Sequence, residues 1–228
     1  MTRVVAKTQP IESQLDFKGD YVLVDCTSHN SDEVMSRGLS PFYLGRDSGV
    51  ECYDGHRAWN MENAWQYAKV YRCHVDDSKN PTAEYFKWRD RGWSKKTADR
   101  YPMGRGAKPL YSLWESDQLG YVEARKRIYL PLYAKLVVKT EAFARLRKMH
   151  DTGMNLVLAD FDGYNNFKTR PKMTWFDVLH SEKRKMGHAF VIAMLLEGLV
   201  KVDGDKVEIS DSLLTPPQDD VEFDIATI

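Results

Sequence analysis

The feature that most constrains the fold is a short segment with helical character and almost no polar surface. Residues 59–71 read WNMENAWQYAKVY, in which Glu62, Gln66 and Lys69 follow one another at i, i+4 and i+7. At 3.6 residues per turn, these three side chains form a narrow stripe on a helix that is otherwise apolar or aromatic. Asn60 is a favourable N-cap residue, so we expect the helix to begin directly after it. Such a helix either packs deeply with one thin exposed strip or turns its polar stripe into a cleft, and the segment alone favours neither.

The composition predicts one domain with additional segments at both ends. The chain has 228 residues, of which 43% are hydrophobic and 29% charged, and this is enough for one full-sized core. We place the domain at residues 21–200, after a polar N-terminal lead at 1–20. Residues 201–228 form an acidic tail, whose end LLTPPQDDVEFDIATI is punctuated by prolines and predicts weak order. We therefore expect the segment after Pro217 to contribute little stability.

The distribution of charge suggests an anionic partner. The formal net charge is zero, yet residues 87–108 hold eight Lys or Arg against two Asp or Glu, and residues 121–150 hold the same numbers. Residues 201–228 hold two basic side chains against eight acidic ones. Two basic segments favour a phosphate or nucleic-acid ligand. The alternative is that these side chains lie on solvated helix faces, and the balanced total argues against a protein whose only task is to wrap nucleic acid.

The cysteines and histidines show no pattern of a metal site or a disulfide framework. Cys26, Cys52 and Cys73 are odd in number and lack CxxC spacing, and six scattered histidines form no HxH or HExxH pair. We therefore expect reduced thiols, a cytoplasmic location, no metal site and no cofactor. The N-terminal MTRVVAKTQPIES lacks the apolar core of a signal peptide. The longest apolar run, AFVIAMLL at residues 189–196, is too short to span a membrane and predicts a buried helix.

Hydrophobic periodicity and turn residues predict further elements along the chain. YVLVDC is typical of a short strand, and NLVLADFDGY is a short apolar segment that ends in two carboxylates and a glycine. ECYDGHRAW predicts a hairpin around Asp54 and Gly55, and NPTAEYFKWRDRGW predicts a helix. Residues 120–150 have helical spacing, with Pro131 marking a kink or a break. KRKMGHAFVIAMLLEGLV predicts the last core helix, whose apolar part we expect to pack beside the helix at 61–73.

The loop YPMGRGAKPLYSLW carries a second chemical signal. Gly104 and Gly106 allow the backbone to approach a ligand closely, Arg105 offers a planar fork for a phosphate and Lys108 adds a point charge. Together these residues suit a diphosphate. The loop is not a Walker motif, and a tight structural turn is an equal alternative. Trp114 either stacks on a base or packs in the core.

The order and spacing of these pieces resemble the NADAR family over roughly residues 39–198. Two patterns carry the likeness, W-x-x-E-x-x-x-Q-x-x-K in residues 59–69 and G-R-G-A-K-P-L-x-x-x-W in residues 104–114. LSPF precedes them, and an apolar segment ending in Asp and KRKMG before an apolar helix follow them. The resemblance implies a compact, single-domain, mainly α fold, that is, α+β with only a few short strands. It also implies cleavage of N-glycosidic bonds, including release of ADP-ribose from guanine in nucleic acid and hydrolysis of phosphoribosylated intermediates.

The resemblance also implies roles for residues at matching positions. It implies that the catalytic side chains are Glu62, Lys69 and Asp160. It implies that the substrate-binding residues are Trp59, Gln66, Gly104, Arg105, Lys108, Trp114 and Asp162. The chain departs from the family pattern in a long connection between the two main motifs, in NMEN at the start of the helix, in ADFDGY for D-x-x-W-G and in KRKMG for K-N-x-L-G. These departures indicate a divergent branch.

The chemistry of such a reaction suits these residues independently of the resemblance. Breaking a ribosyl C1′–N bond builds oxocarbenium character on the sugar, which a carboxylate stabilises, and the departing base needs a proton. Glu62 can serve in either role. Lys69 can polarise the sugar or attack its anomeric carbon as an amine, provided that burial lowers its pKa. The expected substrate is ADP-ribosylated nucleic acid or a phosphoribosyl nucleotide.

Two other functions compete with that of a hydrolase. In the first, a non-catalytic module binds nucleic acid or a nucleotide through its basic segments, and the polar stripe is purely structural. In the second, the protein is a nucleoside-modifying transferase. Its reaction also builds oxocarbenium character on the sugar, so the same residues suit a transferase and a hydrolase. One structural observation separates enzyme from binding module. If Glu62, Lys69 and Arg105 line one concave pocket, the enzyme is favoured.

Overall fold

The protein combines short helices with several small sheets. A computed structural model describes residues 1–217. The α-helices are α1 (Glu33–Leu39), α2 (Met61–Tyr67), α3 (Ala83–Trp93), α4 (Tyr121–Ala124), α5 (Leu130–Val137), α6 (Glu141–Asp151), α7 (Trp175–His180), α8 (His188–Leu196) and α9 (Asp211–Leu214). The strands are β1 (Thr2–Ala6), β2 (Val22–Asp25), β3 (Val50–Glu51), β4 (Arg57–Ala58), β5 (Lys69–Val70), β6 (Tyr111–Trp114), β7 (Asp117–Leu119), β8 (Leu156–Asp160), β9 (Val200–Asp203) and β10 (Lys206–Ile209). Within this described part of the chain, every helix is too short or too polar to traverse a bilayer.

The expectation of a mainly α fold is wrong, because the structure is α+β with 37% helix and 17% strand. Several strands lie where the sequence predicted something else. β5 occupies the end of the segment predicted as one helix from 61 to 73, and β9 with β10 lies in the expected acidic tail. Strands of two to five residues carry too little periodicity to be recognised, and remote pairing partners decide whether they form.

The central sheet places β8 between β1 and β2, with all strands parallel. Thr2 of β1 and Val22 of β2 both align with Leu156 of β8. All five residues of β8 are buried, and a parallel strand covered on both faces is continuously apolar, which explains why LVLAD shows no alternation. β1 belongs to this sheet although residues 1–20 were expected to be a polar lead. The first residues of the chain are therefore part of the domain.

The apolar helix α8 is buried along its whole length, as its sequence predicted. Its principal neighbours are α5, α6 and the strands β1 and β8. The helix α2 is also buried, but its principal neighbours are α3, β4 and β5 rather than α8. The two helices thus belong to one hydrophobic core, and α8 is not among the principal neighbours of α2.

Smaller sheets surround this core. β3 and β4 form the predicted hairpin, with Asp54 at φ 52° and Gly55 at φ 75° in its turn. β5, β6 and β7 form an antiparallel sheet. β9 and β10 form a second hairpin, so part of the expected acidic tail is ordered, and α9 packs on α7. The remainder of that tail, residues 218–228, lies outside the described residues, and so does most of the segment predicted to be dispensable.

The helical run from 121 to 137 continues through Pro131. A π-helical turn at Arg125–Tyr129 follows α4 and leads directly into α5. Pro131 is the second residue of α5 and follows the π-helical turn directly. The predicted break comes later, because residues 138–140 separate α5 from α6.

Candidate active site

The helix α2 holds Glu62 firmly at its N-terminus. The Asn60 side chain accepts a hydrogen bond from the Asn63 backbone N–H at 2.9 Å, which confirms the predicted N-cap. The Glu62 backbone N–H donates to the Pro41 carbonyl at 2.9 Å. The Glu62 side chain is only 6% exposed. A negative charge in the first helical turn interacts favourably with the helix dipole, so the carboxylate occupies a position that suits an anion.

Glu62, Gln66 and Lys69 form a continuous hydrogen-bonded series, which we call the polar chain. Gln66 Nε2 donates to Glu62 Oε1 at 2.9 Å, and Lys69 Nζ donates to Gln66 Oε1 at 2.7 Å. Glu62 Oε2 accepts no hydrogen bond within residues 1–217 and is not sealed from solvent. One carboxylate oxygen is therefore available to a ligand.

The polar chain does not lie on one helix, as the sequence had suggested. α2 ends at Tyr67, and Lys69 belongs to β5, where it pairs with Ser112 of β6. The Leu113 N–H donates to the Ala68 carbonyl at 2.8 Å, so backbone pairing with β6 begins where the helix ends. The Lys69 side chain still reaches back to Gln66. Its ammonium lies 4.8 Å from the centroid of the Trp65 ring, in a cation–π contact.

The two ends of the polar chain have pKa values shifted in opposite directions. Burial raises the pKa of Glu62, against the hydrogen bond from Gln66 and the charges of Lys69, Arg100 and His188, which lower it. Burial lowers the pKa of Lys69 to about 8, although the charge of Glu62 opposes that shift. Burial therefore favours the neutral form of both groups, and a pKa of about 8 lets Lys69 change its protonation state near neutral pH.

A second acidic group lies at the end of β8. Asp160 Oδ2 is 3.2 Å from His188 Nδ1 and accepts the Ala189 N–H at 3.3 Å. His188 Nε2 is 2.7 Å from the Cys26 carbonyl oxygen, so both ring nitrogens face oxygen acceptors. A Cβ atom at Gly187 would lie 2.1 Å from Asp160 Oδ2, so this close approach requires glycine. Asp160 thus fixes the N-terminus of α8, and its predicted catalytic role stays a prediction.

Asp162 brings two cations to the same region. Arg100 Nη2 lies 3.2 Å from one carboxylate oxygen of Asp162, and Lys185 Nζ lies 3.4 Å from the other. The sequence interpretation did not single out either cation, although Arg100 lies in the basic segment 87–108 and Lys185 in KRKMG. Arg125 holds the segment before α8, because its buried guanidinium donates to the carbonyl of Arg184 at 3.0 Å.

Tyr129 connects the two acidic groups. It is 7% exposed and lies in the π-helical turn, with its ring centroid 5.2 Å from that of Trp65. Burial raises the pKa of Tyr129 well above its ordinary value, and the charges of Glu62, Asp160 and Asp162 raise it further. All three carboxylates thus lie within electrostatic range of one hydroxyl. Hydrogen bonds join Glu62, Gln66 and Lys69, whereas Asp160 and Asp162 are related to them only through this shared electrostatic effect.

The other predicted site residues lie elsewhere. Gly104 and Gly106 both have φ of 90° in a loop where Arg105 and Lys108 are exposed. Neither cation forms an ion pair or a side-chain hydrogen bond within the described chain, and Arg105 is not among the charges that shift the pKa of Glu62 or Lys69. Trp114 is buried, with its ring centroid 5.0 Å from that of Tyr53, and belongs to the hydrophobic core.

Trp59 lies directly before Asn60 but lines a separate groove on the surface. No three or more His, Cys, Asp or Glu side chains in residues 1–217 are grouped so that they could hold a metal ion.

Comparison with known proteins places the chain in one family. Residues 6–172 match the model of a family of unknown function (DUF6939), and the chain therefore belongs to that family. The match runs from the end of β1 beyond β8, and so contains the polar chain, Asp160 and Asp162. No curated protein and no solved structure matches the chain. The family match does not test the resemblance to the NADAR family, which stays a prediction.

Proposed function

We propose that the protein is an N-glycoside hydrolase that acts on an ADP-ribosyl or phosphoribosyl linkage to a nucleobase. The observation that carries this proposal is the polar chain, in which burial raises the pKa of Glu62 and lowers that of Lys69 to about 8. A purely structural stripe has no need of a carboxylate and an ammonium removed from water, because desolvating charges opposes folding. Perturbed acid and base groups held side by side are typical of active sites.

Glu62 supports the first half of the reaction. In its protonated form it donates a proton to the nitrogen of the departing base as the C1′–N bond breaks, and the bonding electrons leave with the base. The carboxylate that remains stabilises the positive charge that develops on the sugar. Glu62 Oε2, which has no protein partner among the described residues, is the oxygen available for this step.

Lys69 supports the second half in one of two ways. As a cation it polarises the sugar, and water attacks C1′ directly while the Glu62 carboxylate takes the proton that the water loses. As a neutral amine it forms an N–C1′ bond while the bond to the base breaks, and water then releases the sugar and regenerates the amine. A pKa of about 8 supplies both forms near neutral pH. Trapping with borohydride separates the two routes, because only an attached sugar that opens to an imine is reduced to a stable adduct.

The cations beside the carboxylates suit the phosphate groups of such a substrate. Arg100 and Lys185 already share Asp162, so an incoming phosphate finds two positive charges next to the polar chain. This assigns to Arg100 and Lys185 the role that the resemblance implied for Arg105 and Lys108.

The decisive experiment incubates the purified full chain with ADP-ribosylated guanine in DNA and, separately, with a phosphoribosyl nucleotide in ¹⁸O-labelled water. A hydrolase releases the free base and a sugar that carries the label at C1′, which mass spectrometry detects. Transfer of the sugar to another acceptor without label indicates the transferase alternative. If neither substrate yields a free base above a no-enzyme control, the proposal is wrong.

The expected compartment belongs to the same proposal. Cys26, Cys52 and Cys73 are all free thiols, which is compatible with a reducing environment such as the cytoplasm.

A further inference from the structure

A second region of the surface carries an aromatic and basic groove that the proposed reaction does not use. Trp59 is 37% exposed, the most exposed of the six tryptophans. It borders an open cavity of about 410 Å³, which we call the Trp59 groove. Arg46, Ser48, Arg57 and Ser94 also line this groove, and Asp47 is its one acidic lining residue. Trp59 therefore presents a partly exposed indole ring beside Arg46 and Arg57.

The backbone around the groove is fixed. The Trp59 N–H donates to the Trp93 carbonyl at 2.8 Å, which attaches the end of β4 to the end of α3. On the opposite side, Gly49 has φ of 74°, a conformation that favours glycine. A Cβ atom there would lie 3.6 Å from the Ala58 carbonyl oxygen, so the turn approaches β4 closely. The backbone on both sides of the groove is therefore held by contacts with β4 and α3.

The cations of the groove are not neutralised. Arg46, Arg57 and Lys96 form no ion pair within residues 1–217. Arg46 is positioned nonetheless, because its Nε donates to the Phe42 carbonyl at 3.1 Å and its guanidinium lies 4.4 Å from the Tyr43 ring centroid. The Lys96 ammonium lies 5.2 Å from the Trp59 ring centroid. Arg46 and Arg57 line the groove and Lys96 lies beside it, while Asp47 lines it and Glu51 is directly opposite Arg57 in the hairpin. Three positive and two negative side chains leave a net charge of +1, which favours an anionic ligand.

We propose that the Trp59 groove binds a single nucleic-acid strand, with one base stacked on Trp59 and neighbouring phosphates paired with Arg46 and Arg57. Proteins that bind single strands combine aromatic platforms with cationic tracks, because every base has a stacking face and every phosphate a charge. Arginine adds planar, bidentate pairing with phosphate. Lys96 can transfer from the indole face to a phosphate when a base takes its place. Asp47 and Glu51 offset two of the three cations, so the pairing with phosphate rests on the net charge of +1.

The groove is close to the candidate active site along the chain. Trp59 and Glu62 are separated by three peptide units, which limits their Cα separation to about 11 Å. A strand held by Trp59 therefore passes near the helix that carries Glu62. The binding inference does not rest on the proposed hydrolysis, because a strand binds whether or not a glycosidic bond is cleaved.

The test measures binding of a fluorescently labelled single-stranded oligonucleotide of roughly twelve nucleotides to the full chain by anisotropy. Trp59→Ala is expected to weaken binding at least about fivefold, whereas Trp59→Phe, which keeps an aromatic face, retains most of the affinity. The double variant Arg46→Ala and Arg57→Ala removes two positive charges from the groove and is expected to weaken binding. Its control is the double variant Lys139→Ala and Lys201→Ala, which removes two positive charges elsewhere. Both control lysines are exposed and lie outside the groove. Circular dichroism of each variant checks that it is folded.

The salt dependence of the binding constant provides a second measurement, and a change in packing alone does not alter it. Loss of two phosphate contacts reduces the slope of log K against log salt by about 1.4, since each contact to a single strand contributes about 0.7. The control pair leaves the slope unchanged. The inference is overturned if the groove variants bind like the control pair, or if Trp59→Phe binds as weakly as Trp59→Ala. It is also overturned if adenosine monophosphate competes as well per nucleotide as the strand does, because the groove would then be a mononucleotide site.

Discussion

Two regions of the molecule carry charged side chains in different ways. The polar chain holds Glu62 and Lys69 in hydrogen bonds away from water, whereas the loop leaves Arg105 and Lys108 exposed. A buried carboxylate or ammonium without a partner costs several kcal/mol, so the positions of Glu62 and Lys69 are fixed by the hydrogen bonds that compensate them. The exposed cations of the loop keep their water and their rotamer freedom. Removal from water, more than the local density of charge, therefore determines which side chains have shifted pKa values.

The largest effect is expected for Glu62→Gln, which tests the buried half of the comparison. Gln is nearly isosteric and can still hydrogen-bond to Gln66, but it neither donates a proton as an acid nor carries a full negative charge. We expect kcat/KM to fall at least ~10²-fold with the fold intact. The matched control is Glu51→Gln, at an exposed carboxylate of β3. Activity close to that of the wild type in Glu62→Gln would return the polar chain to a structural role.

The pH dependence of kcat/KM follows from the lowered pKa of Lys69. The route with an attacking amine needs one proton on the pair of Glu62 and Lys69, and the route with a cationic Lys69 needs two. In both routes, a required proton is lost above a pKa of about 8. We therefore expect kcat/KM to fall at least about tenfold per pH unit as the pH rises beyond about 8.

Lys69→Arg then separates the two routes of the reaction. If Lys69 acts only through its charge, the arginine variant stays active, because arginine remains protonated, and its alkaline limb is set by the Glu62 proton alone. If the amine attacks, the variant is inactive at every pH. An alkaline limb that persists unchanged in Lys69→Arg would show that another group titrates.

Arg100→Ala and Arg105→Ala compare one cation from each region. Arg100 contacts Asp162 and is proposed to hold a phosphate of the substrate, so we expect its loss to reduce kcat/KM about tenfold, mainly through KM. Arg105→Ala is expected to raise KM less, with little change in kcat, as for a group that binds ground and transition states equally. Steady-state kinetics on the substrate identified by mass spectrometry measures both. A larger loss in Arg105→Ala than in Arg100→Ala would move the phosphate site to the loop.

The smallest effect concerns the helix cap that positions Glu62. Asn60→Ala removes the side-chain acceptor for the Asn63 N–H and should lower the free energy of unfolding by about 1 kcal/mol, measured by urea denaturation. Asp32→Ala removes the equivalent cap of α1, whose side chain accepts from Val34 and Met35. The two variants should lose similar stability, but only Asn60→Ala should also lose activity. Equal activity in both would mean that the cap does not position Glu62.

Local features of the structure were predictable from the sequence, whereas features made by distant segments were not. Asn60 as a cap and the turn at Asp54 and Gly55 depend on residues within a few positions of one another, and both predictions are confirmed. The end of α2 depends on β6, some forty residues later, so the helix was predicted to continue through Lys69. Arg100 and Lys185 meet at Asp162 from three separate parts of the chain. No short-range pattern encodes that meeting.

The position of β8 in the central sheet determines the order in which the protein can be completed during synthesis. β1 and β2 leave the ribosome first, but neither pairs with the other, and their shared partner follows about 130 residues after β2. Closing loops of that length is entropically costly, so the sheet forms late. Until then both early strands present unpaired edges, which other chains can add to. A chain that stops before Leu156 therefore leaves two strands without a partner and is expected to aggregate rather than to fold in part.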